Sequence, residues 1–487
     1  MLYDDVPPKP QAPDDYNQKR WNHTALRRRI CSGIYEDDLF FELKRHFPTD
    51  RLEVLGPPDL SSNCLLQISQ QLAMLYHQEP TVTHGETDIS ELVGRAGFVS
   101  TAGFFQLMSR VQMLTIALRE CFVRIDVTPD RPDELVRTPS LLYRVVTPDF
   151  VICEASPDAP DTPLYYQELR LRVDPETHRP VWIADCLDIR DENNPKFALY
   201  TMSPTGQIQD DVTEKYLGQP AMTGDKYPYR SSEGRPFLPV QLYHAEKTGS
   251  LFDAFSQSQI TYGSLTASAL FSFYVKCVRD NSWPQKFAVG VYPMGLSQVD
   301  GDMTSRRASI TTDPSSILMF AGDPDSNAQP MIGTFQFSDP DKILESITKY
   351  ETRVCSSAGL SAEILRQSGD PRSGFAISLS REGQREATKK FAPIFRYVDE
   401  MTIAKSAMLA NRFLGTNLPE KGYRVQYQPI GLSAEEQQKQ TEDIIKQLGA
   451  GLISPVDAIM KLNPDLDAQE ARAELDRIRR ERAEYKV

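Results

Sequence analysis

Residues 339–365 read DPDKILESITKYETRVCSSAGLSAEIL, and this stretch decides how the elements on either side of it are arranged. Asp339 can cap a helix whose first position is Pro340, where the missing backbone N–H costs no hydrogen bond. Apolar residues then recur at helical spacing, and Gly359 is placed to end the helix. The stretch therefore predicts one long amphipathic helix.

The next stretch, GDPRSGFA at 369–376, combines two glycines, a proline, an arginine and a serine. This composition predicts a polar loop. A second long helical pattern begins near Ser380 and continues through Pro393. Because a proline inside a straight helix costs about 3 kcal/mol, we expect a kink at Pro393.

The spacing of apolar residues changes along the rest of the chain. Residues 15–120 show mainly helical periodicity, and the period changes to two between about 140 and 245, which predicts a β-rich body. A helix is predicted from about 251 to 282, and short strands and turns follow it until the helix at Asp339. Three capped helices are predicted to close the chain.

Composition narrows the classes of function. The 487-residue chain has 54 basic and 67 acidic residues, a formal net charge of −13, which is unlike a general nucleic-acid coat. Seven scattered cysteines indicate a reducing compartment, and six scattered histidines show no metal-ligand spacing. We find no phosphate-binding loop, nucleophile motif, secretory signal or membrane span. The sequence thus predicts a protein without enzymatic activity, metal or cofactor.

The order of elements resembles that of the portal proteins of tailed bacteriophages, the head-to-tail connectors. Four stretches are similar as they stand: 235–255, 339–365, 369–384 and 430–467. Gly359, Leu360 and Leu365 occupy the places of a family signature, whereas Ser361-Ala362 stands where many relatives have two prolines. The resemblance covers nearly the whole chain and rests on this order, because no single motif is diagnostic.

The resemblance implies an α+β fold, a portal-like multidomain subunit that assembles into a ring with an axial channel. Its parts would be a disordered N-terminal arm (1–20), a wing (21–255), a first stem helix (256–284), a clip (285–337), a second stem helix (338–365), a tunnel loop (366–380), a long kinked wing helix with a return strand (381–431) and crown helices (432–487).

As a member of that family, the chain would form a ring of about twelve copies at one capsid vertex. Double-stranded DNA would pass through it during genome packaging and ejection. Its partners would be the terminase large subunit, a head-completion adaptor, and the major capsid and scaffolding proteins, with no membrane. It would reside in the host cytoplasm during assembly and then in the virion.

The predicted functional residues follow from this implied arrangement. Arg372 would place a positive charge from every subunit at the narrowest part of the channel, although taken alone it fits an ordinary turn. Residues 361–390 hold six basic and four acidic residues, a local excess of two positive charges. The candidate channel residues are Arg366, Asp370, Arg372, Ser373, Gly374, Arg381, Arg385, Lys389 and Lys390; the candidate clip residues that bind partners are Arg306, Arg307, Met319 and Phe320.

Two other interpretations remain open. The chain could be another ring-forming neck or tail protein of a phage-like particle, without DNA contact. It could also be a metal-dependent hydrolase that uses aspartate clusters. For Met319 and Phe320, packing within a strand is an alternative to partner binding.

Overall fold

The computed structural model describes residues 7–46, 56–89, 104–127, 140–282, 286–289, 291–293, 320–322, 331–334, 339–360, 374–430, 434–462 and 468–484. The chain is a mixed helix-and-sheet protein. Its helices are α1 (Asp15–Cys31), α2 (Glu36–His46), α3 (Cys64–Leu72), α4 (Phe104–Leu118), α5 (Thr213–Leu217), α6 (Ser258–Ser282), α7 (Pro340–Ser357), α8 (Gly374–Leu414), α9 (Ala434–Gly449), α10 (Pro455–Leu462) and α11 (Ala468–Glu484).

The strands form antiparallel sheets. They are β1 (Thr81–His84), β2 (Thr87–Asp88), β3 (Glu120–Val127), β4 (Leu141–Val146), β5 (Val151–Ala155), β6 (Pro163–Val173), β7 (Pro180–Asp188), β8 (Lys196–Met202), β9 (Ile208–Asp211), β10 (Met222–Thr223), β11 (Val240–His244), β12 (Lys286–Val289), β13 (Val291–Pro293), β14 (Phe320–Gly322), β15 (Met331–Thr334) and β16 (Tyr423–Gln426).

Helix starts follow the capping chemistry of the sequence. The Asp339 side chain accepts a hydrogen bond from the Asp341 backbone N–H, and Pro340 is the first residue of α7. Before α3, the Asn63 carboxamide oxygen accepts from the Leu66 N–H at 3.0 Å. Side-chain acceptors at these positions satisfy backbone donors that have no partner within the helix. These two predicted helix starts are confirmed.

The β-rich body contains a six-stranded sheet and a three-stranded sheet. In the larger one β10, β8, β7, β6 and β5 lie in that order, with β9 also paired to β8. The smaller one has β3 between β11 and β4. Apolar side chains from both sheets share one core, which includes Phe122 and Val240 of the small sheet and Tyr166, Ile183 and Leu199 of the large one.

The N-terminal segment differs from the prediction. Disorder was expected over 1–20, but residues 7–20 are ordered, and α1 begins within them. Ala12 is buried, and the Gln11 backbone N–H donates to the Pro204 carbonyl oxygen at 3.0 Å. The prediction of disorder is therefore wrong for 7–20, because long-range packing on the large sheet orders a segment whose composition alone favours disorder.

Helices α6 and α7 form an antiparallel hairpin. Gly263 near the start of α6 lies against Val354 near the end of α7. Beyond the hairpin, β12 follows α6 and pairs antiparallel with β15, which precedes α7. The strand-containing insertion thus extends from the open end of the two helices.

A stripe of serines packs α6 against the segment that precedes α3. Ser264, Ser268 and Ser272 recur every four residues and therefore share one helix face. The Ser268 hydroxyl donates to the Ser62 carbonyl oxygen at 2.6 Å, and the Ser272 hydroxyl accepts from the Asp59 backbone N–H at 2.8 Å. These contacts satisfy polar groups that the hairpin buries.

Close packing at Gly263 leads to a prediction. A Cβ added there would lie 2.8 Å from Val354 Cγ2, closer than such atoms approach. We expect Gly263→Ala to lower the free energy of unfolding by about 1 kcal/mol, because overpacking outweighs the better helix propensity of alanine. Urea denaturation measures this, and Gly449→Ala, in open space within α9, is the matched control. Val354→Ala in the same chain should recover most of the loss; additive losses would contradict the proposed clash.

The long helix α8 runs 41 residues without interruption and contains Pro393. It begins at Gly374, so the predicted loop over 366–380 is wrong for 374–380, which are helical. Pro393 is exposed, and the kink expected there remains a prediction. After α8, β16 returns and pairs with β1. The return strand was predicted, whereas its partner β1 lies in a region expected to be helical.

Three helices end the chain, as predicted. Ser454 and Asp457 form a reciprocal cap at the start of α10: the Asp457 N–H donates to the Ser454 hydroxyl, and the Ser454 N–H donates to the Asp457 carboxylate. Within the described ranges, no helix combines the length and apolar character needed to cross a membrane.

Candidate functional site

The structure places only some of the predicted functional residues. Phe320 begins β14, opposite Pro293. Gly374 is the first residue of α8, and Arg381, Arg385, Lys389 and Lys390 lie farther along it. The predicted residues outside the described ranges are Arg306, Arg307, Met319, Arg366, Asp370, Arg372 and Ser373.

The four predicted basic residues of α8 occupy two positions around its axis. Arg381, Arg385 and Lys389 follow one another at intervals of four and therefore share a face, whereas Lys390 is rotated from them. Lys389 is exposed and pairs with Glu386 at 2.6 Å within the same helix. The sequence predicted the same role for Lys389 and Lys390. In the structure Lys389 pairs within its own helix, whereas Lys390 pairs with Glu246, which follows β11.

Lys390 joins an ion-pair cluster whose central member, Arg119, is buried. Its ammonium group lies 2.6 Å from Glu246 Oε1, and Arg119 Nη2 lies 3.1 Å from Glu246 Oε2. Arg119 Nη2 also lies 3.2 Å from Asp253 Oδ2. One arginine thus connects the long helix to the segment that enters α6.

The backbone around this cluster adopts an unusual conformation. Arg119 and Gln257 have φ values of 78° and 53°, in the left-handed region that residues with a side chain rarely adopt. The two residues contact each other, because Arg119 Nη1 donates to Gln257 Oε1 at 3.2 Å. Such backbone strain persists only where surrounding contacts impose it.

A cavity of about 300 Å³ lies beside these residues. Helices α1, α3, α4, α6 and α8 and the end of α7 contribute to its wall. The wall is mostly apolar, with Leu65, Ile68, Leu72, Ile116, Ile260 and Phe391 among its members, and three cationic side chains, those of Arg27, Arg119 and Lys390, also line it.

Glu120 is a buried carboxyl group close to the cluster. Its Oε2 accepts from the Asp253 backbone N–H at 3.0 Å, whereas its Oε1 has no hydrogen-bond partner. Burial raises the pKa of Glu120 to about 7, because the charged form is poorly solvated there. Two nearby histidines behave in the opposite direction: burial lowers the pKa of His23 and of His244 to about 4.

The raised pKa of Glu120 predicts a pH-dependent stability. The folded protein binds the proton more tightly than the unfolded chain, so this stabilisation is complete below the unfolded pKa, near 4.5, and is lost as the pH rises through 7. We expect the wild type to lose about 3 kcal/mol relative to Glu120→Gln over that range. Urea denaturation of both proteins at a series of pH values measures the difference, from which the histidine contributions cancel. Parallel pH profiles would contradict it.

A second buried cluster fixes α8 against the rest of the chain. The Asp399 carboxylate accepts hydrogen bonds from three tyrosine hydroxyls: Tyr76 at 2.7 Å, Tyr427 at 2.7 Å and Tyr243 at 3.0 Å. Tyr76 follows α3, Tyr427 follows β16, and Tyr243 belongs to β11. Burial raises the pKa of Asp399 to about 6, although the three hydroxyl donors oppose that shift.

A third cluster joins the two sheets of the body. Arg124 of β3 is 2% exposed in its side chain and lies 3.0 Å from Asp185 and 3.3 Å from Glu168, both in the large sheet. It also lies 2.9 Å from Asp126 of its own strand. Three further arginines, Arg144, Arg170 and Arg172, contact these carboxylates.

No group of three or more histidine, cysteine, aspartate or glutamate residues suited to a metal ion occurs in the described part of the chain. No protein-family model matches the chain, and no curated protein matches it.

Sequence reasoning missed most residues of these clusters. Arg27, Arg119 and Glu246 come from separate elements, and nothing in their local sequence marks them. One signal was available for Arg124: a charged residue in the run CFVRIDV, whose neighbours on both sides are apolar. A charge within a strand that is buried on both faces requires partners.

Proposed function

We propose that the chain is the subunit of a portal-type ring through which double-stranded DNA passes during packaging and ejection. The topology of the helical hairpin supports this most directly. The α6–α7 hairpin carries a strand-containing insertion at its open end and is followed by the long helix α8 and by three terminal helices. This order fits a stem, a clip, a wing helix and a crown.

Charge distribution is compatible with such a conduit. The chain as a whole is acidic, with a formal net charge of −13. A ring would repeat each exposed cation once per subunit around the axis. Since affinity for DNA grows with each phosphate that a protein neutralises, a few repeated cations on an acidic protein would guide DNA with little retention.

In this proposal the ring holds about twelve subunits at one capsid vertex. The insertion between α6 and α7 would face outward and bind the terminase large subunit during packaging and a head-completion adaptor afterwards. Capsid and scaffolding proteins would surround the ring.

Native mass spectrometry of the purified chain, with negative-stain images of the same sample, tests this proposal. We expect a closed ring of about twelve copies with a central hole. A chain that stays monomeric or dimeric at every salt concentration contradicts the proposal. A closed ring without a hole wide enough for duplex DNA would favour a neck or tail component instead.

The end of α6 supplies a more specific prediction. Val275 and Val278 are 43% and 37% exposed, one turn apart on the same helix face. In a ring, stem helices of neighbouring subunits would cover them. We expect Val275→Asp to abolish or strongly reduce ring formation while the far-ultraviolet circular dichroism spectrum stays unchanged. Val173→Asp, at an exposed valine in the β6–β7 hairpin, is the matched control and should assemble normally. Rings of normal abundance in Val275→Asp would contradict this assignment.

A further inference from the structure

The Arg27 side chain has an unusual environment. It is almost completely buried, with a relative exposure of 1%, and no carboxylate in the described part of the chain lies within ion-pair distance of it. Its Nη1 donates to the Ala117 carbonyl oxygen at 3.4 Å, and its Nη2 donates to the Ser256 carbonyl oxygen. The Nε–H has no acceptor.

A buried guanidinium without a carboxylate partner is costly, and buried charges in proteins are normally paired. A second guanidinium, that of Arg119, lies close by and is also buried, at 3% exposure. Burial first, and then repulsion from Arg119, lowers the pKa of Arg27 to about 10. Arg119 already has Glu246 and Asp253 as partners, so the unbalanced charge is that of Arg27.

Both arginines line the 300 Å³ cavity, and Lys390 lines it as well. The acidic groups around it are Glu386, which also lines it and pairs with Lys389, and the three carboxyl groups of Glu246, Asp253 and Glu120. Glu386, Glu246 and Asp253 each pair with a cation. The raised pKa of Glu120 reduces its negative charge near neutral pH. Among the described residues that line the cavity, the three cations Arg27, Arg119 and Lys390 therefore outnumber the one carboxylate, that of Glu386.

The rest of the wall is apolar. The volume of the cavity lies at the lower end of the range for small-molecule sites. A volume of 300 Å³ corresponds to about ten water molecules. An inorganic anion alone would leave the leucine and isoleucine side chains of the wall uncovered. The left-handed backbone at Arg119 and Gln257, both cavity residues, is a kind of strain that concentrates at ligand sites.

We propose that this cavity binds a small amphiphilic anion. Its anionic head, a phosphate monoester or a carboxylate, lies against Arg27, Arg119 and Lys390, and a short alkyl chain covers the apolar wall formed by α3, α4 and α6. The site does not depend on the proposed DNA conduit, since residues of a single chain line it.

Hexyl phosphate is the probe, and isothermal titration calorimetry of the full chain is the measurement. We expect saturable binding with one site per chain. Inorganic phosphate should bind at least tenfold more weakly, because each buried methylene contributes a factor of about four in affinity. Hexanol should also bind at least tenfold more weakly, because it lacks the charge.

Adjacent lysines provide the decisive pair of variants. Lys390→Gln should weaken hexyl phosphate binding about three- to fivefold, as expected for a half-exposed cation. Lys389→Gln, at an exposed lysine that does not line the cavity, frees only the Glu386 carboxylate, which is 61% exposed and screened by solvent, and should change the affinity less than about twofold. Arg27→Met should abolish binding. If that variant does not fold, the comparison of Lys390→Gln with Lys389→Gln still tests the proposal.

Three outcomes would overturn the proposal: no saturable heat with hexyl phosphate, equal affinity for hexanol, or equal effects of Lys389→Gln and Lys390→Gln. Equal affinity for hexanol would mean an apolar cavity without anion selectivity. Binding that occurs only with an acidic peptide from another chain would make the cavity a protein-docking site instead.

Discussion

Replacement of Asp399 by alanine is expected to lower the free energy of unfolding by about 3–5 kcal/mol. The change removes the acceptor of three buried tyrosine hydroxyls, and each buried donor left without a partner costs about 1–3 kcal/mol. Tyr243 keeps a contact with the Thr402 hydroxyl at 2.7 Å, so the full cost falls on Tyr76 and Tyr427. Urea denaturation at neutral pH measures the loss.

Two graded variants separate this mechanism from a general packing defect. Tyr427→Phe removes one of the three donors and should cost about 1 kcal/mol. Asp399→Asn keeps the shape and one acceptor oxygen, so its loss should fall between those of the other two variants. A loss in Asp399→Ala no larger than that in Tyr427→Phe would contradict the shared role of the carboxylate.

The Asp399 cluster also matters for the proposed conduit. It fixes the middle of α8 to β11 and to the segments that follow α3 and β16. Lys389 and Lys390 lie nearly three turns earlier on the same helix. A helix held at Asp399 gives those cations defined positions, whereas a helix free to rotate would not.

The order and type of the elements could be predicted from the sequence because their signals are local. Asp339-Pro340 and Asn63 predicted two helix starts, and the DPETHRP segment predicted the hairpin between β6 and β7. Where a short-range signal and the final structure agree, no tertiary information is needed.

Elements that depend on a distant partner could not be predicted in this way. Only the last two residues of β1 pair with the neighbouring β2, whereas all four pair with β16, more than 300 residues later. Residues 7–20 are ordered by contacts with the large sheet. Both features depend on tertiary contacts that local propensity does not contain.

The candidate site shows the same division. The spacing that puts Arg381, Arg385 and Lys389 on one face of a helix is visible in the sequence. The difference between Lys389 and Lys390 is not, since it depends on the position of Glu246 beside β11. Pairing of buried charges requires knowledge of which segments meet, and the periodicity of one segment does not supply it.

Arg124 illustrates the energetic consequence most clearly. Arg124→Met keeps much of the side-chain volume but leaves Glu168 and Asp185 buried, with side-chain exposures of 3% and 1%, and one cation fewer. Removing one partner of a buried ion pair costs about 3–5 kcal/mol. We expect a loss in that range, measured by urea denaturation at neutral pH.

Arg190 is the matched control on the same large sheet. It also contacts two carboxylates, those of Glu154 and Asp188 at 2.5 Å each, but its side chain is 46% exposed. Exposed ion pairs contribute less than about 1 kcal/mol, so Arg190→Met should be nearly neutral. Equal losses in the two variants would show that burial does not determine the effect.

The arginine cluster should also make stability depend on acid. Burial alone would raise the pKa of Glu168 and of Asp126, but the arginines outweigh it and hold both values below their usual range. Carboxyl groups with a lowered pKa stabilise the fold above their unfolded pKa, and this stabilisation is lost as the pH falls. Arg124→Met should therefore lose less stability than the wild type on acidification, because fewer cations favour the charged carboxylates. If acid destabilises both proteins equally, the arginine at 124 does not hold the two sheets together through these charges.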